Sequence, residues 1–106
     1  MRVTVLGSGN GGVAAAFDFA DHGHEVALFD LPGFPANIAA IDEAGGIHAS
    51  GDLEGFAPIM YSGHDIAEAM AGAELVLVVG PAYATEPLAE AVRDHLRPGM
   101  AVVVCP

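Results

Sequence analysis

Apolar residues fall along this chain in two rhythms, and the alternation between them predicts its architecture. Residues 3–6, 25–29, 75–79 and 101–104 are short apolar runs, rich in β-branched side chains and lacking the polar alternation of a half-exposed strand. Each predicts a strand buried on both faces. Between them the spacing becomes helical. Residues 11–22 place Val13, Ala16, Phe17 and Ala20 on one face, with Asp18 and Asp21 turned away, and Gly23 supplies the stop. Residues 36–44 carry Ile38 and Ile41 at helical spacing, and residues 64–71 turn Ile66, Ala69 and Met70 inward behind Asp65. A last helix is expected to begin near residues 85–87 with Thr85 as its cap and to bury Leu88, Ala91, Val92 and Leu96. Arg93 and Arg97 then fall late in it, before Pro98-Gly99 ends it.

The middle is less regular. Gly45-Gly46 breaks the chain, residues 47–50 predict a strand, residues 51–55 a turn, and residues 56–61 either pair back as a hairpin or extend the sheet. Strands alternating with helices, with no repeat or linker between them, imply a doubly wound (Rossmann) α/β fold: a mostly parallel sheet with helices on both faces. A length of 106 residues makes this one domain, 1–106.

Composition narrows the partners. Hydrophobic residues make up 53% of the chain and charged ones 16%, as in a compact globular protein. Against 14 acidic residues stand three Arg and no Lys, a net charge of −11 that opposes a nucleic acid or an anionic membrane as partner. The acidic excess reads as a hydrated surface or, preferred here, as adaptation to high salt, where screening relieves self-repulsion. No apolar run approaches the roughly 18 residues of a membrane span. Cys105 is alone and reads as a small apolar filler, so a reducing cytoplasm is the expected location. His22, His24, His48, His64 and His95 fall on separate elements, and no pair has the i, i+4 spacing of a zinc site, so no metal is expected.

The strongest chemical signal is Gly7-Ser8-Gly9-Asn10-Gly11-Gly12, a G-x-G-x-x-G motif with a buried strand before it and a helix after it. In that context it reads as a dinucleotide fingerprint. Gly7 permits the tight turn, Gly9 lets backbone amides approach a pyrophosphate, and Gly12 lets the helix pack close to the sheet. A helix N-terminus then supplies the attraction that a Lys-free chain cannot supply with ammonium groups. Asp30, roughly 20 residues on, ends the second strand where a carboxylate can accept hydrogen bonds from the adenosine ribose. The residues after it, Leu31-Pro32-Gly33-Phe34, offer no cation for a 2′-phosphate, so NAD is preferred over NADP. A second cluster, Gly80-Pro81-Ala82-Tyr83-Ala84-Thr85-Glu86, follows the third of the buried runs at the sheet edge where such folds bind ligands. Pro81, Ala82 and Tyr83 are expected to line the nicotinamide side, with Tyr83 either against the ribose or over the core.

The glycine cluster, the Gly23-His24-Glu25-Val26 lead into Asp30, and Pro81-Ala82-Tyr83-Ala84-Thr85-Glu86 together resemble the N-terminal coenzyme domain of the octopine/nopaline (opine) dehydrogenases over nearly the whole chain. The resemblance implies reductive condensation of an amino acid with a 2-oxo acid by hydride from NAD(P)H. Where members of that family often carry His, this chain has Val13 and Thr85. The catalytic His and Asp of the resembling enzymes belong to a following helical domain that these 106 residues do not contain, so no catalytic residue is assigned and binding without turnover is expected. A homodimer or partner subunit is expected to cover the face left by that domain. The fingerprint and the Gly-His-x-Val step are shared with glycerol-3-phosphate dehydrogenases and ketopantoate reductases, which stand as alternatives. A nucleotide-sensing module that moves no hydride is the alternative from another class.

Overall fold

A computed structural model describes residues 1–49, 55–80 and 82–105, excepting the side chains of Ala82 and Tyr83. Its elements run β1 (Arg2–Leu6), α1 (Asn10–Asp21), β2 (Glu25–Phe29), α2 (Pro35–Ala44), β3 (Gly46–Ala49), β4 (Gly55–Pro58), β5 (Tyr61–Gly63), α3 (Ile66–Met70), β6 (Leu75–Val79), α4 (Ala82–Val92) and β7 (Ala101–Cys105). Five of the strands form one parallel sheet in the order β5-β2-β1-β6-β7. This is the expected Rossmann-like α/β fold.

Strand alternation explains why the apolar runs are unbroken. Val3 and Val5 of β1, with Val26 and Leu28 of β2, face Ala16, Phe17 and Ile38 in the layer of α1 and α2. Leu6, Ala27 and Phe29 face the other way, against Met70, Leu88 and Val92 in the layer of α3 and α4. Both faces of a central strand are thus interior, so both parities must be apolar. Thr4 is fully buried without penalty, because its hydroxyl donates to Ala69 O at 2.7 Å.

Residues 56–61, for which hairpin and sheet extension were both open, divide between the two. β3 and β4 make a separate antiparallel hairpin, and β5 joins the main sheet beside β2. Residues 50–54, most of the expected turn, lie outside the described residues. α3 is shorter than its spacing suggests and is capped by Asp65, whose Oδ1 accepts from Ala67 N at 3.0 Å and Glu68 N at 3.3 Å.

Three expectations at the C-terminal side are corrected. α4 begins at Ala82 rather than near 85–87, so Thr85 lies inside it and Pro87 sits in its interior instead of its first turn. Burial of Leu88 and Val92 holds the helix through the proline. The helix then ends at Val92, and the 3₁₀ turn Arg93–His95 carries Leu96 out to 43% exposure, where burial was expected. Arg97 falls beyond the helix and reaches back to Met70 O at 3.4 Å. β7, expected to be covered on both faces, is less enclosed than the other strands of the sheet among the described residues. Among the described residues it pairs with β6, and Val102, Val103 and Val104 are exposed.

α1 ends with His22 as C-cap and Gly23 at φ 90°. His22 Nδ1 donates to Asp18 O at 2.7 Å, and that bond, reinforced by the Asp18 charge, raises the imidazole pKa above its usual value. A raised folded value means that this group's contribution to stability is complete below the unfolded pKa near 6.5 and is lost as pH rises through the folded one. The expected result is a His22 titration midpoint, followed by NMR, at higher pH than in an unfolded peptide. A midpoint at or below the peptide's contradicts the bond. Among the described residues, no helix is long and apolar enough to cross a membrane.

Candidate functional site

The site is built where β1 gives way to α1. Beyond Leu6 the chain turns at Gly7, whose φ of +116° and whose N–H, donating to Phe29 O at 2.8 Å, tie the corner to β2. A Cβ on Gly7 would collide with Val79 O, and one on Gly12 would collide with Gly7 O. These two glycines are therefore demanded by the packing of α1 against the sheet. Gly9 is different. Its backbone is ordinary extended chain at φ −72°, and a Cβ there would meet nothing within 4 Å among the described residues.

α1 starts without a side-chain cap, and the Gly9 carbonyl accepts its first helical bond from Val13 N at 2.9 Å. The leading N–H groups of a helix have no intrahelical partner and carry the positive end of the macrodipole. Here they border a cleft of about 420 Å³ lined by Gly7, Ser8, Gly9, Asn10, Gly11, Gly12 and Asp30, all expected together from the sequence. Phe34, Val79, Gly80, Ala84 and Leu88 complete the lining. The cleft lies at the carboxyl edge of β1, β2 and β6, where parallel sheets present their loops.

Asp30 is in the cleft wall but is only 7% exposed. Its Oδ2 accepts from Ser8 N at 2.8 Å and from Ser8 Oγ at 2.6 Å, while Oδ1 accepts from Leu31 N at 2.7 Å. The carboxylate thus acts first on the protein itself, latching the glycine turn to the end of β2. It retains about one of its roughly four acceptor positions for an outside donor. Two further side chains hold the same corner. Asn37 Nδ2 donates to Ser8 O at 2.6 Å, and His64 Nδ1 donates to the Asp30 carbonyl at 2.8 Å.

Asn37 and His64 gave no site signal in the sequence, because each acts through a contact between elements remote along the chain, and Phe34 only borders the cleft. Only Phe34 left a trace in the sequence, as a large apolar residue in a loop otherwise built for turning. Pro81 lies outside the described residues, as do the side chains of Ala82 and Tyr83, whose backbone opens α4; their neighbours Gly80 and Ala84 reach the cleft. The histidines lie on different parts of the fold. His24 packs edge-on to Phe19, His48 tilts over Phe56, and among the described residues no cluster of His, Cys, Asp or Glu could hold a metal.

Residues 2–106 match the family described as NAD-dependent glycerol-3-phosphate dehydrogenase N-terminus. A glycerol-3-phosphate dehydrogenase [NAD(P)+] of Mesorhizobium japonicum is 35% identical over 104 residues, covering 98% of this chain and 29% of the relative. Its counterpart in Anaeromyxobacter sp. is 31% identical over 106 residues, covering 97% of this chain and 30% of the relative. The chain thus spans about three-tenths of the length of these relatives. Among solved structures, octopine dehydrogenase with NADH and L-arginine superposes on 100% of this chain and 28% of its own, at a TM-score of 0.83 and 22% identity. A putative 2-dehydropantoate 2-reductase of Enterococcus faecalis does so on 100% and 34%, at 0.79 and 20%. At such identities the likeness is one of fold, so the opine resemblance holds for architecture, while the sequence match is to glycerol-3-phosphate dehydrogenases.

Proposed function

This chain belongs to the family of NAD-dependent glycerol-3-phosphate dehydrogenase N-termini, and from that premise we propose that residues 1–106 are the dinucleotide-holding domain of an NAD(P)-linked oxidoreductase acting on glycerol 3-phosphate. This displaces amino acid–oxo acid condensation as the activity, because sequence identity to the glycerol-3-phosphate enzymes is higher and the fold is common to both groups.

One observation carries the site. Gly7 and Gly12 are required by packing, but no atom of the described residues requires a glycine at position 9, where a side chain would stand in open cleft. A missing side chain there is explained by a ligand that must come close to the amides behind it. The cradle fits a diphosphate: a hydrogen-bonding N-terminus, no side-chain cap in competition, and room between Gly9, Gly11 and Gly80. Gly7, Ser8, Gly9, Asn10, Gly11 and Gly12 surround the pyrophosphate in this reading. Asp30 offers its remaining acceptor position to an adenosine ribose hydroxyl. Pro81, Ala82 and Tyr83 flank the nicotinamide side, supported by their place at the carboxyl end of β6.

The nicotinamide, when bound, accepts or delivers the hydride. The residues of this chain bind and orient it, and none is placed to act on substrate. NAD is preferred over NADP because a 2′-phosphate would meet the Asp30 carboxylate, and no Lys or Arg occurs between residues 3 and 92 to offset it. Calorimetry of this chain is expected to give binding of NADH and ADP-ribose and weaker binding of NADPH. Absence of heat with all three ligands would overturn the assignment.

The latch adds a second expectation. Asp30→Ala deprives Ser8 N and Leu31 N of their acceptors, at about 1–3 kcal/mol for each buried donor left unpaired. NADH affinity should fall more than NADPH affinity, with a lowered melting temperature, while Asp30→Asn, which keeps one acceptor oxygen for Ser8 but turns an NH2 toward Leu31 N, should recover only part of the stability. Equal losses for both cofactors in Asp30→Asn would mean that the charge does not discriminate between them.

A further inference from the structure

Phe34 is a large apolar side chain left 50% exposed at the rim of the cleft. Its backbone has a structural task, since its N–H donates to Leu31 O at 3.0 Å and it stands at the N-cap of α2 without a side-chain cap bond. Its ring does not belong to either hydrophobic core. It borders two adjoining cavities that share Ser8, Gly9 and Asp30, the 420 Å³ cleft and a second of about 350 Å³ lying over Gly33, Pro35 and Asn37. Among the described residues lining either cavity it is the sole aromatic.

We propose that Phe34 is the stacking platform for the purine ring of the dinucleotide, and that it holds the ring by its face without the protein reading its edge. This inference rests on the diphosphate lying along Gly9 to Gly12. With the diphosphate there and the ribose beside Asp30, the base extends past Asp30 into the second cavity, whose wall is Phe34. A planar base over an exposed ring removes apolar area from water on both partners and adds the offset-stacking attraction of two π systems. Edge reading needs polar groups in the base plane. Gly33, Pro35 and Ala36 carry none on their side chains, and the Asn37 amide is turned to the glycine corner, one of its two N–H donors going to Ser8 O. Stacking alone tolerates any purine, because every base has a π face.

The chain contains no Trp, so Phe34→Trp introduces a single indole whose emission should be quenched when ADP-ribose is added. In Phe34→Ala, affinity for NADH and ADP-ribose should fall about five- to a hundredfold, the range commanded by base–aromatic stacking. Affinity for nicotinamide mononucleotide and the melting temperature should stay at parent values. The hypoxanthine analogue of NADH should bind the parent within about threefold of NADH itself. Parent-like NADH binding by Phe34→Ala, or a loss above about tenfold with hypoxanthine, would overturn the proposal while leaving the diphosphate site intact. A parent chain that binds neither NADH nor ADP-ribose would instead overturn the diphosphate site, and this proposal with it.

Discussion

Gly9→Val is expected to weaken NADH binding by about a hundredfold or more while leaving the ligand-free fold intact. The affinity loss follows from distance: isopropyl carbons in the open cleft would keep a diphosphate from at least two charge-assisted N–H bonds, each worth about 1.5–3 kcal/mol. The fold survives because no atom of the described residues lies within 4 Å of the new Cβ and the backbone there is already extended. Valine is a poorer N-cap than glycine, so a cost of about 1 kcal/mol, or a few degrees in melting temperature, is expected. Titration calorimetry and a thermal melt check both halves. Parent-like affinity in a folded variant would mean that the ligand does not lie on this corner.

Gly12→Ala is expected to do the opposite, lowering stability by about 3 kcal/mol or more. In most helix positions Gly→Ala raises stability by up to about 1 kcal/mol, so the sign itself is diagnostic. At position 12 the added Cβ collides with Gly7 O, a backbone atom that cannot swing aside. Relief requires α1 to move off β1, which breaks the contact of Ala16 and Phe17 with Val3 and Val5. Gly7→Ala should be as damaging, since it adds a positive φ to a collision with Val79 O. A melting temperature for Gly12→Ala equal to the parent's would show that α1 has slack against the turn. In a domain whose total stability is of order 5–15 kcal/mol, the predicted loss is large enough to read without ambiguity.

The contrast between positions 9 and 12 was only half legible in the sequence. The motif assigns three roles to three glycines, and the structure bears out the conformational role of Gly7 and the packing role of Gly12. The freedom around Gly9 could not be read from residue order, because it depends on what the rest of the chain fails to place there. Asp30 is a similar case. Its position at the end of β2 follows from counting, but its orientation toward Ser8 does not, since a carboxylate at a strand end can turn to solvent, to ligand or to a neighbouring loop with equal local propensity. Asn37 and His64 had no signal at all, being single polar residues whose partners lie 29 and 34 positions away along the chain.

Sequence by itself determined the strands β1, β2 and β6, the helix after the glycine turn, the parallel architecture and the chemical character of the β1–α1 corner. These follow from local periodicity and from glycine's backbone freedom, which act within a few residues. Tertiary structure alone decided how far β7 is enclosed among the described residues, that β4 and β5 part company, that α4 runs through Pro87, and that Asp30 latches the loop. A run such as Ala101–Cys105 has the same pattern whether it lies mid-sheet or at the rim. Burial is a property of neighbours, and which neighbours arrive is settled only when the whole chain has packed.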